Sequence, residues 1–412
     1  MRVGKARIVL FAVPGVLLVA IVAAGVAYRV WANHCQAEFD AAIAEIRARG
    51  EPVWFSELAP KDHPEWDEAG RRLEQILGHL QPLSEEFNRA FNGVGPPEPE
   101  NYSALATAVV ENRDVIDEVV DLARTTKCRH AYDYEFDNLV DLPMEHLPGM
   151  RAVGELLRVE VLLALEAGDA TGAKHALWSG FALAEPLSNE FLAVGILTRN
   201  AIVWKALDSL KRILGQISLT AEEFEALDQE LATLGQSRLH QVVLGERAAL
   251  LTILSDLGSQ RHLPGNRAWL ASDLARFLQI YAEMAEIIDE TGPHGTAKLA
   301  ALETRIKAHP KRYPLTSTFS IHAKTLHRAG LMYRQKIINA RLALRVCRFR
   351  DSQGKLSSTL DEALDTTIPA VPIGLFSDQP VSYRSTSTGF TIWDDEPSNE
   401  HDHQEFTVEF DQ

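Results

Sequence analysis

The stretch TLHRAGLMYRQKIINARLALRVCRFR, residues 325–350, predicts one long helix near the end of the chain. Apolar or small residues recur along it with an alternating spacing of four and three, which places them on one side of a helix. These residues are Leu326, Gly330, Tyr333, Ile337, Ala340, Leu344 and Cys347. Because glycine, alanine and cysteine are among them, we expect this seam to pack closely within a bundle. The predicted helix runs from about Thr318 to Arg350.

Charge is distributed unevenly around this helix. Between Thr304 and Arg350 the chain has no acidic residue, whereas the whole protein carries a net charge of −16. Four arginines fall on one broad face beside the seam: Arg334, Arg341, Arg345 and Arg348. We predict that they pair with carboxylates of the same chain. The alternative is a basic interaction face for anionic lipid or an envelope polymer. The negative net charge argues against nucleic acid as a partner.

The character of the sequence changes after Gly354. FSDQPVSYRSTSTGFTIW, residues 376–393, contains two alternating segments with β-branched and aromatic residues around a turn. EFTVEF, residues 405–410, is a candidate third strand. Three strands packed on a helix are stable where a lone hairpin is marginal. We therefore predict a small β-rich cap with an acidic tail over residues 351–412.

Upstream of the long helix, apolar residues at helical spacing predict further helices. Their expected bounds are Cys35–Arg49, Glu65–Leu80, Ser103–Arg124, Val153–Ala167, Ala170–Leu187, Leu239–Leu257 and Arg267–Asp289. Gly168 and Asp169 fit the end of one helix and the N-cap of the next, and Thr220 with Glu223 forms a capping box. The helical hairpin is similar to one tetratricopeptide unit, but no 34-residue repeat follows it. An irregular helical bundle or superhelix is expected over residues 31–350.

The N-terminus carries an uncharged apolar run, Ile8–Tyr28, which is long enough to cross a bilayer as a helix. Basic residues dominate before the run and acidic residues follow soon after it, which favours a cytoplasmic N-terminus and an extracytoplasmic body. We predict a single-pass anchor of the cytoplasmic (inner) membrane within residues 1–30. The alternative is a signal peptide cleaved after Ala27, with Gly25 as the second small residue.

The three cysteines, Cys35, Cys128 and Cys347, are far apart and form no CxxC pair. This distribution argues against a structural zinc site and against a disulfide framework. We expect buried or partly buried thiols.

Several short segments together resemble a bacterial family of single-pass, membrane-anchored α-helical proteins without an assigned function. They are RARGEPVWFSEL, CRHAYDYEF, LPGMR, LALEAGD, LGERAALL and GKLSSTLDEAL, followed by PVSYRSTSTGFTIW. The C-terminal unit is also similar to the C-terminal end of type II secretion pseudopilins. Ser357 stands where those proteins usually have proline, and the D-P pair of their turn is absent around Gly374. The resemblance implies an inherited β cap on a helix and not a pilus subunit.

The usual motifs of nucleotide binding and of common hydrolases are absent from the sequence, so we expect no nucleotide and no cofactor. Glu246 and Arg247 are adjacent on a predicted helix and are expected to serve as structural ion-pair residues. The segment CRHAYDYEFD, residues 128–137, is interpreted as a surface or packing segment. His322 and His327 are poorly spaced for a shared metal ion. His401, Asp402 and His403 belong to an acidic tail that we expect to be solvated, with weak calcium binding at residues 394–396 as the alternative.

These patterns predict a mainly α protein: an irregular helical bundle or superhelix behind an N-terminal transmembrane helix, with a small hairpin or three-stranded C-terminal cap. The expected function is a membrane-tethered scaffold or interaction protein of the bacterial envelope, without an assigned catalytic or metal residue. Its expected partners are the membrane and an envelope protein. Two alternatives remain open: an accessory component of a secretion or pseudopilin-like assembly, and an envelope hydrolase with a site that no motif reveals. Converging carboxylates or histidines in a polar pocket would favour the hydrolase.

Overall fold

The fold was obtained from a computed structural model that describes residues 3–59, 63–87, 102–128, 130, 144–260, 266–308, 310–311, 313–319, 323–365, 367–394 and 405–410. The first helices are α1 (Val3–Ala48), α2 (Pro64–Leu77), α3 (Tyr102–Glu111), α4 (Arg113–Thr125), α5 (His146–Glu166), α6 (Ala170–Ala182) and α7 (Ala193–Gln216). They are followed by α8 (Ala221–Leu234), α9 (Leu239–Gln260), α10 (Asn266–Ile287), α11 (Gly292–Lys307), α12 (Pro314–Phe319), α13 (Ala323–Gln353) and α14 (Leu360–Ala363). The strands are β1 (Ser382–Ser385), β2 (Gly389–Trp393) and β3 (Phe406–Glu409). The predicted class, a mainly α protein with a small C-terminal sheet, is confirmed.

Helix α13 connects the two largest buried cores. Its N-terminal part, including Leu326, packs with α9 and α11 and belongs to the same buried core as α10. Its C-terminal part, from Tyr333 to Cys347, packs with α7, α8 and the sheet. Every residue of the predicted seam is buried, but burial extends beyond the seam, since Gln335, Asn339 and Arg345 are also enclosed. A helix buried on several sides is a central element of the bundle and not a surface helix.

Helix α1 joins the apolar N-terminal run to the body without a break. It is 46 residues long, which corresponds to about 69 Å at 1.5 Å per residue. Cys35 and Ile46 are buried in its second half, and the helix packs along α10. The helix predicted to start at Cys35 is therefore the continuation of the N-terminal helix. Among the described residues, this helix alone is long and apolar enough to cross a membrane.

The C-terminal cap is an antiparallel sheet in the order β1-β2-β3. In its register, Tyr383 faces Ile392 and Phe390 faces Val408. Alternate residues Phe390, Ile392 and Val408 point to one face and are buried. This face packs on α7 and α13, which supplies the burial that a short sheet needs.

Two helix ends have the capping residues that the sequence predicts. Gly168 has a φ of +70°, and the Asp169 carboxylate accepts from the N–H of Gly172 at the start of α6. Thr220 and Glu223 form both hydrogen bonds of the predicted capping box. Because residues close in sequence form these helix caps, local sequence patterns are sufficient to predict them.

The segment predicted as one helix over Ser103–Arg124 is two helices, so that prediction was wrong. Asn112 separates them with a φ of −108°. Its side-chain amide donates to the carbonyl oxygen of Ala108, and its side-chain oxygen accepts from the N–H of Gln81. Asparagine side chains that bond to the backbone compete with the helix, which explains the break.

The start of the long helix was also predicted wrongly, because α12 precedes it as a separate helix. The buried carboxylate of Asp273, on α10, accepts from the N–H groups of Leu315 and Thr316 at the start of α12. A carboxylate from another helix fixes this start, so no local pattern indicates it. Helix α11 was missed because its first turn, GPHG, reads as a breaker-rich loop, although proline fits the first turn of a helix.

Candidate functional site

The predicted basic face of α13 forms ion pairs with α8 and with the segment after α14. Nε of Arg341 lies 2.8 Å from Oδ1 of Asp228, and Nη2 of Arg345 lies 2.6 Å from Oδ2 of the same carboxylate. The Arg345 side chain is 1% exposed and the Asp228 side chain 8%. Two arginines therefore share one buried carboxylate, an arrangement in which each charge depends on its partner.

The network continues toward the protein surface. Nε of Arg345 lies 3.0 Å from Oδ2 of Asp365, and Arg348 contacts both Asp365 and Glu225. The hydrogen bonds that Asp365 accepts from Thr367 and the charge of Arg345 lower the pKa of Asp365 against the opposing effect of burial. Three of the four predicted arginines are thus engaged within the chain.

Arg334 lies apart from this network. It is half-buried and lines a narrow cleft together with Arg199, Arg238 and Tyr333. Arg199 donates to the hydroxyl of Tyr333 at 3.1 Å. The structure therefore does not bring Arg334 together with the other three arginines of the predicted face.

Glu246 and Arg247 point in different directions from α9 and have different partners. Arg247 is fully buried, with Nη1 2.7 Å from Oε2 of Glu51, and Nη2 donates to the carbonyl oxygen of Pro52. These bonds attach the chain just after α1 to α9. Glu246 instead accepts from the N–H of Ala193, the first residue of α7. Burial raises the pKa of Glu246, and this hydrogen bond opposes the rise.

A second set of polar side chains meets between α2, α5 and the segment after α4. The imidazole of His130 contacts Oε1 of Glu74, and its ring stacks on that of His146 with centroids 3.8 Å apart. One nitrogen of each histidine and one carboxylate oxygen of Glu74 lie within 4.8 Å of one another. Glu190, just before α7, places Oε1 3.6 Å from Nε2 of His146. We call Glu74, His130, His146 and Glu190 the histidine–glutamate cluster.

The histidine–glutamate cluster is almost closed to solvent. The side chains of His130, His146 and Glu190 are at most 4% exposed, whereas that of Glu74 is 38% exposed. Burial raises the pKa of Glu74; the nearby charge of His146 opposes this rise, and that of Glu145 adds to it. A partly buried carboxylate in this setting favours a proton or a cation as its partner.

The sequence did not reveal this cluster, because its members come from four separate segments. The segment of residues 128–137 was interpreted as a surface or packing segment, yet its His130 contacts Glu74 and stacks on His146. Residues 131–137 of that segment lie outside the described residues. The neighbouring Cys128 is buried, which raises its thiol pKa to about 12, so it is a poor nucleophile. The sequence does contain one hint of the cluster: two histidines, His130 and His146, flank the same short segment.

The remaining sequence candidates have structural roles or lie outside the described residues. Asp394 was expected in the solvated tail, but it is buried and accepts from the N–H of Phe376 at 2.8 Å, so that expectation was wrong. Asp394 directly follows β2, and its carboxylate supplies the hydrogen-bond acceptor that the buried N–H of Phe376 requires. His327 is buried, with Nδ1 2.9 Å from the carbonyl oxygen of Ile288. His322 and residues 395–396 and 401–403 lie outside the described residues.

An open cleft of 620 Å³ lies between α4, α6 and α8. Its lining includes the apolar side chains of Trp178 and Phe181 together with Arg124, His175 and Glu230. Burial raises the pKa of Glu230, and the charge of Glu185 adds to this effect. The volume is that of a small-molecule or peptide site, but the cleft shares none of its lining residues with the histidine–glutamate cluster.

Comparison with known proteins gave no match: no family model, no curated protein and no solved structure is detectably similar to this chain. The resemblance to membrane-anchored helical proteins and to pseudopilins therefore stays a prediction.

Proposed function

We propose that this chain is a membrane-tethered interaction protein of the bacterial envelope. The first support is the surface of α1. Over residues 18–30 its apolar side chains are exposed, among them Leu18, Ile21 and Val30 at 60% or more. At the end of this apolar run the rings of Tyr28 and Trp31 lie 5.8 Å apart, and both side chains are exposed. Aromatic residues of this kind suit the boundary between lipid and water.

The observation that carries the proposal is the continuity of α1. The same helix that exposes apolar side chains over residues 18–30 buries Cys35 and Ile46 in the body. Helix α1 also packs along α10, and Glu51, just after it, pairs with the buried Arg247. A membrane segment connected in this way holds the body at a fixed distance from the bilayer.

The proposed orientation follows from the charges that flank the apolar run. Arg2, Lys5 and Arg7 precede it. A single basic residue, Arg29, follows it directly, and the acidic residues Glu38 and Asp40 come next. The excess of basic residues favours a cytoplasmic N-terminus and an extracytoplasmic body at the cytoplasmic membrane.

The interaction role is proposed because the most prominent charged residues serve the fold itself. The α13 arginines pair with α8 and Asp365, Arg247 holds the chain after α1, and Glu246 caps α7. What the body offers to a partner is its helical surface, including the open cleft beside Trp178. An envelope protein is the proposed partner.

The proposal can be tested by crosslinking in native membranes with two forms of the full chain. In one, residues 1–30 are exchanged for an unrelated transmembrane helix, while the packed half of α1 is retained. We expect the wild-type chain and the exchanged form to capture the same envelope protein, because the body makes the contacts. Loss of the captured protein on exchange would assign the interaction to the anchor, and the absence of any captured protein would refute the interaction role. Capture of a secretion component would favour the accessory role in secretion.

A further inference from the structure

The histidine–glutamate cluster has the donor types of a transition-metal site. Two imidazoles and a carboxylate are the set that Zn²⁺ and related first-row divalent ions prefer. The three donor atoms of Glu74, His130 and His146 already lie within 4.8 Å of one another. Two ligands of one tetrahedral zinc ion, each about 2.1 Å from the metal, are about 3.4 Å apart. The three donor atoms therefore need to approach one another by at most about 1.4 Å to reach the spacing of ligands on one ion.

The charges of the cluster also fit a divalent cation. Two carboxylates, Glu74 and Glu190, face two imidazoles in a buried region. Protonating both histidines would balance the charge, but it would place two cations in rings that stack 3.8 Å apart. A divalent ion with two neutral imidazoles offsets both carboxylates without that repulsion, and the nearby Glu145 and Arg71 act on Glu74 with opposite signs.

We propose that Glu74, His130 and His146 bind one divalent first-row transition-metal ion, and that Glu190 orients the His146 ring. Carboxylates that face a metal-bound histidine are common partners of this kind. The ion connects α2, α5 and the segment after α4. This inference does not depend on the proposed membrane function.

Metal ions and protons compete for the same donor atoms, because metal binding requires an ionised carboxylate and neutral imidazoles. The affinity for Zn²⁺ is therefore expected to fall as the pH is lowered.

The test uses the full chain in detergent, without a polyhistidine tag and stripped of metal, titrated with Zn²⁺ by calorimetry. Three variants change the cluster: Glu74→Gln, His146→Gln and Glu190→Gln. His63→Gln is the matched control, because His63 and Glu65 form an exposed histidine–carboxylate pair 2.8 Å apart at the N-terminal end of α2, whereas Glu74 lies near its C-terminal end.

We expect one Zn²⁺ per wild-type chain, with the same affinity in the His63→Gln control. Glu190→Gln should weaken binding by about 10–100-fold, as is typical of a lost partner around a ligand. Glu74→Gln and His146→Gln should weaken it further, because each removes a ligand. The Co²⁺ form of the wild type should show visible absorption bands that are absent in both ligand variants.

The fold control is the spectrum of each metal-free variant in the near-ultraviolet region of circular dichroism. Glu74→Gln is the decisive variant, since its side chain is partly exposed and its replacement disturbs packing least. A wild type that binds no Zn²⁺, a folded Glu74→Gln variant with wild-type affinity, or an equal loss in His63→Gln would each overturn the proposal.

Discussion

Replacing Asp228 by alanine tests whether the α13 arginines serve the fold. The carboxylate accepts from Arg341 at 2.8 Å and from Arg345 at 2.6 Å, and Arg345 is 1% exposed. Removing one member of a buried ion pair costs about 3–5 kcal/mol, because the other charge stays buried without its partner. Arg345 keeps Asp365, whose side chain is 33% exposed, at 3.0 Å. We therefore expect a loss near the lower limit, about 3 kcal/mol.

The matched control is Glu225→Ala, one turn away on the same helix. Glu225 pairs with Arg348, and the two side chains are 50% and 39% exposed. Exposed pairs contribute about 0–1 kcal/mol, so this variant should melt close to the wild type. For a chain of 412 residues, about 1.2 °C per kcal/mol gives a decrease of about 4 °C for Asp228→Ala.

Thermal unfolding of the full chain in detergent, followed by circular dichroism at low and high salt, distinguishes the two cases. Salt should remove the small effect of Glu225→Ala and leave most of the Asp228→Ala effect, because buried pairs are screened less. Equal melting of the two variants would refute the structural role of the network. The basic-face alternative would gain support if Arg341→Glu with Arg345→Glu melted like the parent and lost binding to anionic vesicles.

Three further outcomes follow from single contacts. Gly215→Ala should destabilise the protein by about 1–3 kcal/mol in chemical denaturation, because the added Cβ would lie 2.1 Å from a carbonyl oxygen of β3. The control Gly154→Ala should leave the stability unchanged, because the nearest atom to its added Cβ lies at 3.4 Å. Glu246→Gln should raise the melting temperature at pH 7, because burial raises the pKa of Glu246 above 4.5 and the ionised carboxylate therefore opposes folding. This gain should disappear below pH 4.5, where the carboxyl group is protonated in both the folded and the unfolded state. The thiols of Cys128 and Cys347, with pKa values raised by burial to about 12, should react with maleimide at pH 7 only after unfolding.

The sequence predicted those parts of the fold that depend on neighbouring residues. The 4-3 seam of α13, the capping box at Thr220 and the left-handed Gly168 are local patterns, and the structure has each of them. The three strands also follow from alternation and turn residues. The break at Asn112 escaped the sequence, because one of the two backbone hydrogen bonds of its side chain comes from Gln81, which lies in another segment.

The candidate site depends on contacts between distant segments, which no local pattern contains. The charge imbalance suggested internal pairing of the arginines, but it could not identify Asp228, which is 117 positions from Arg345. The histidine–glutamate cluster was missed for the same reason. His130 is one histidine among several in the sequence, and only the packing of α2 against α5 places Glu74 and His146 beside it.

Labelling of single cysteines in whole cells tests the tethered topology most directly. One variant carries Ser387→Cys in the exposed turn before β2, and the other carries a cysteine added before Met1. Because the native thiols are buried, background labelling should be low. After permeabilisation of the outer cell layer, a membrane-impermeant maleimide is expected to label Ser387→Cys and to spare the N-terminal cysteine until the inner membrane is opened. Labelling of the N-terminal cysteine with protection of Ser387→Cys would contradict the proposed orientation, and recovery of the full chain in the soluble fraction would contradict the tether itself.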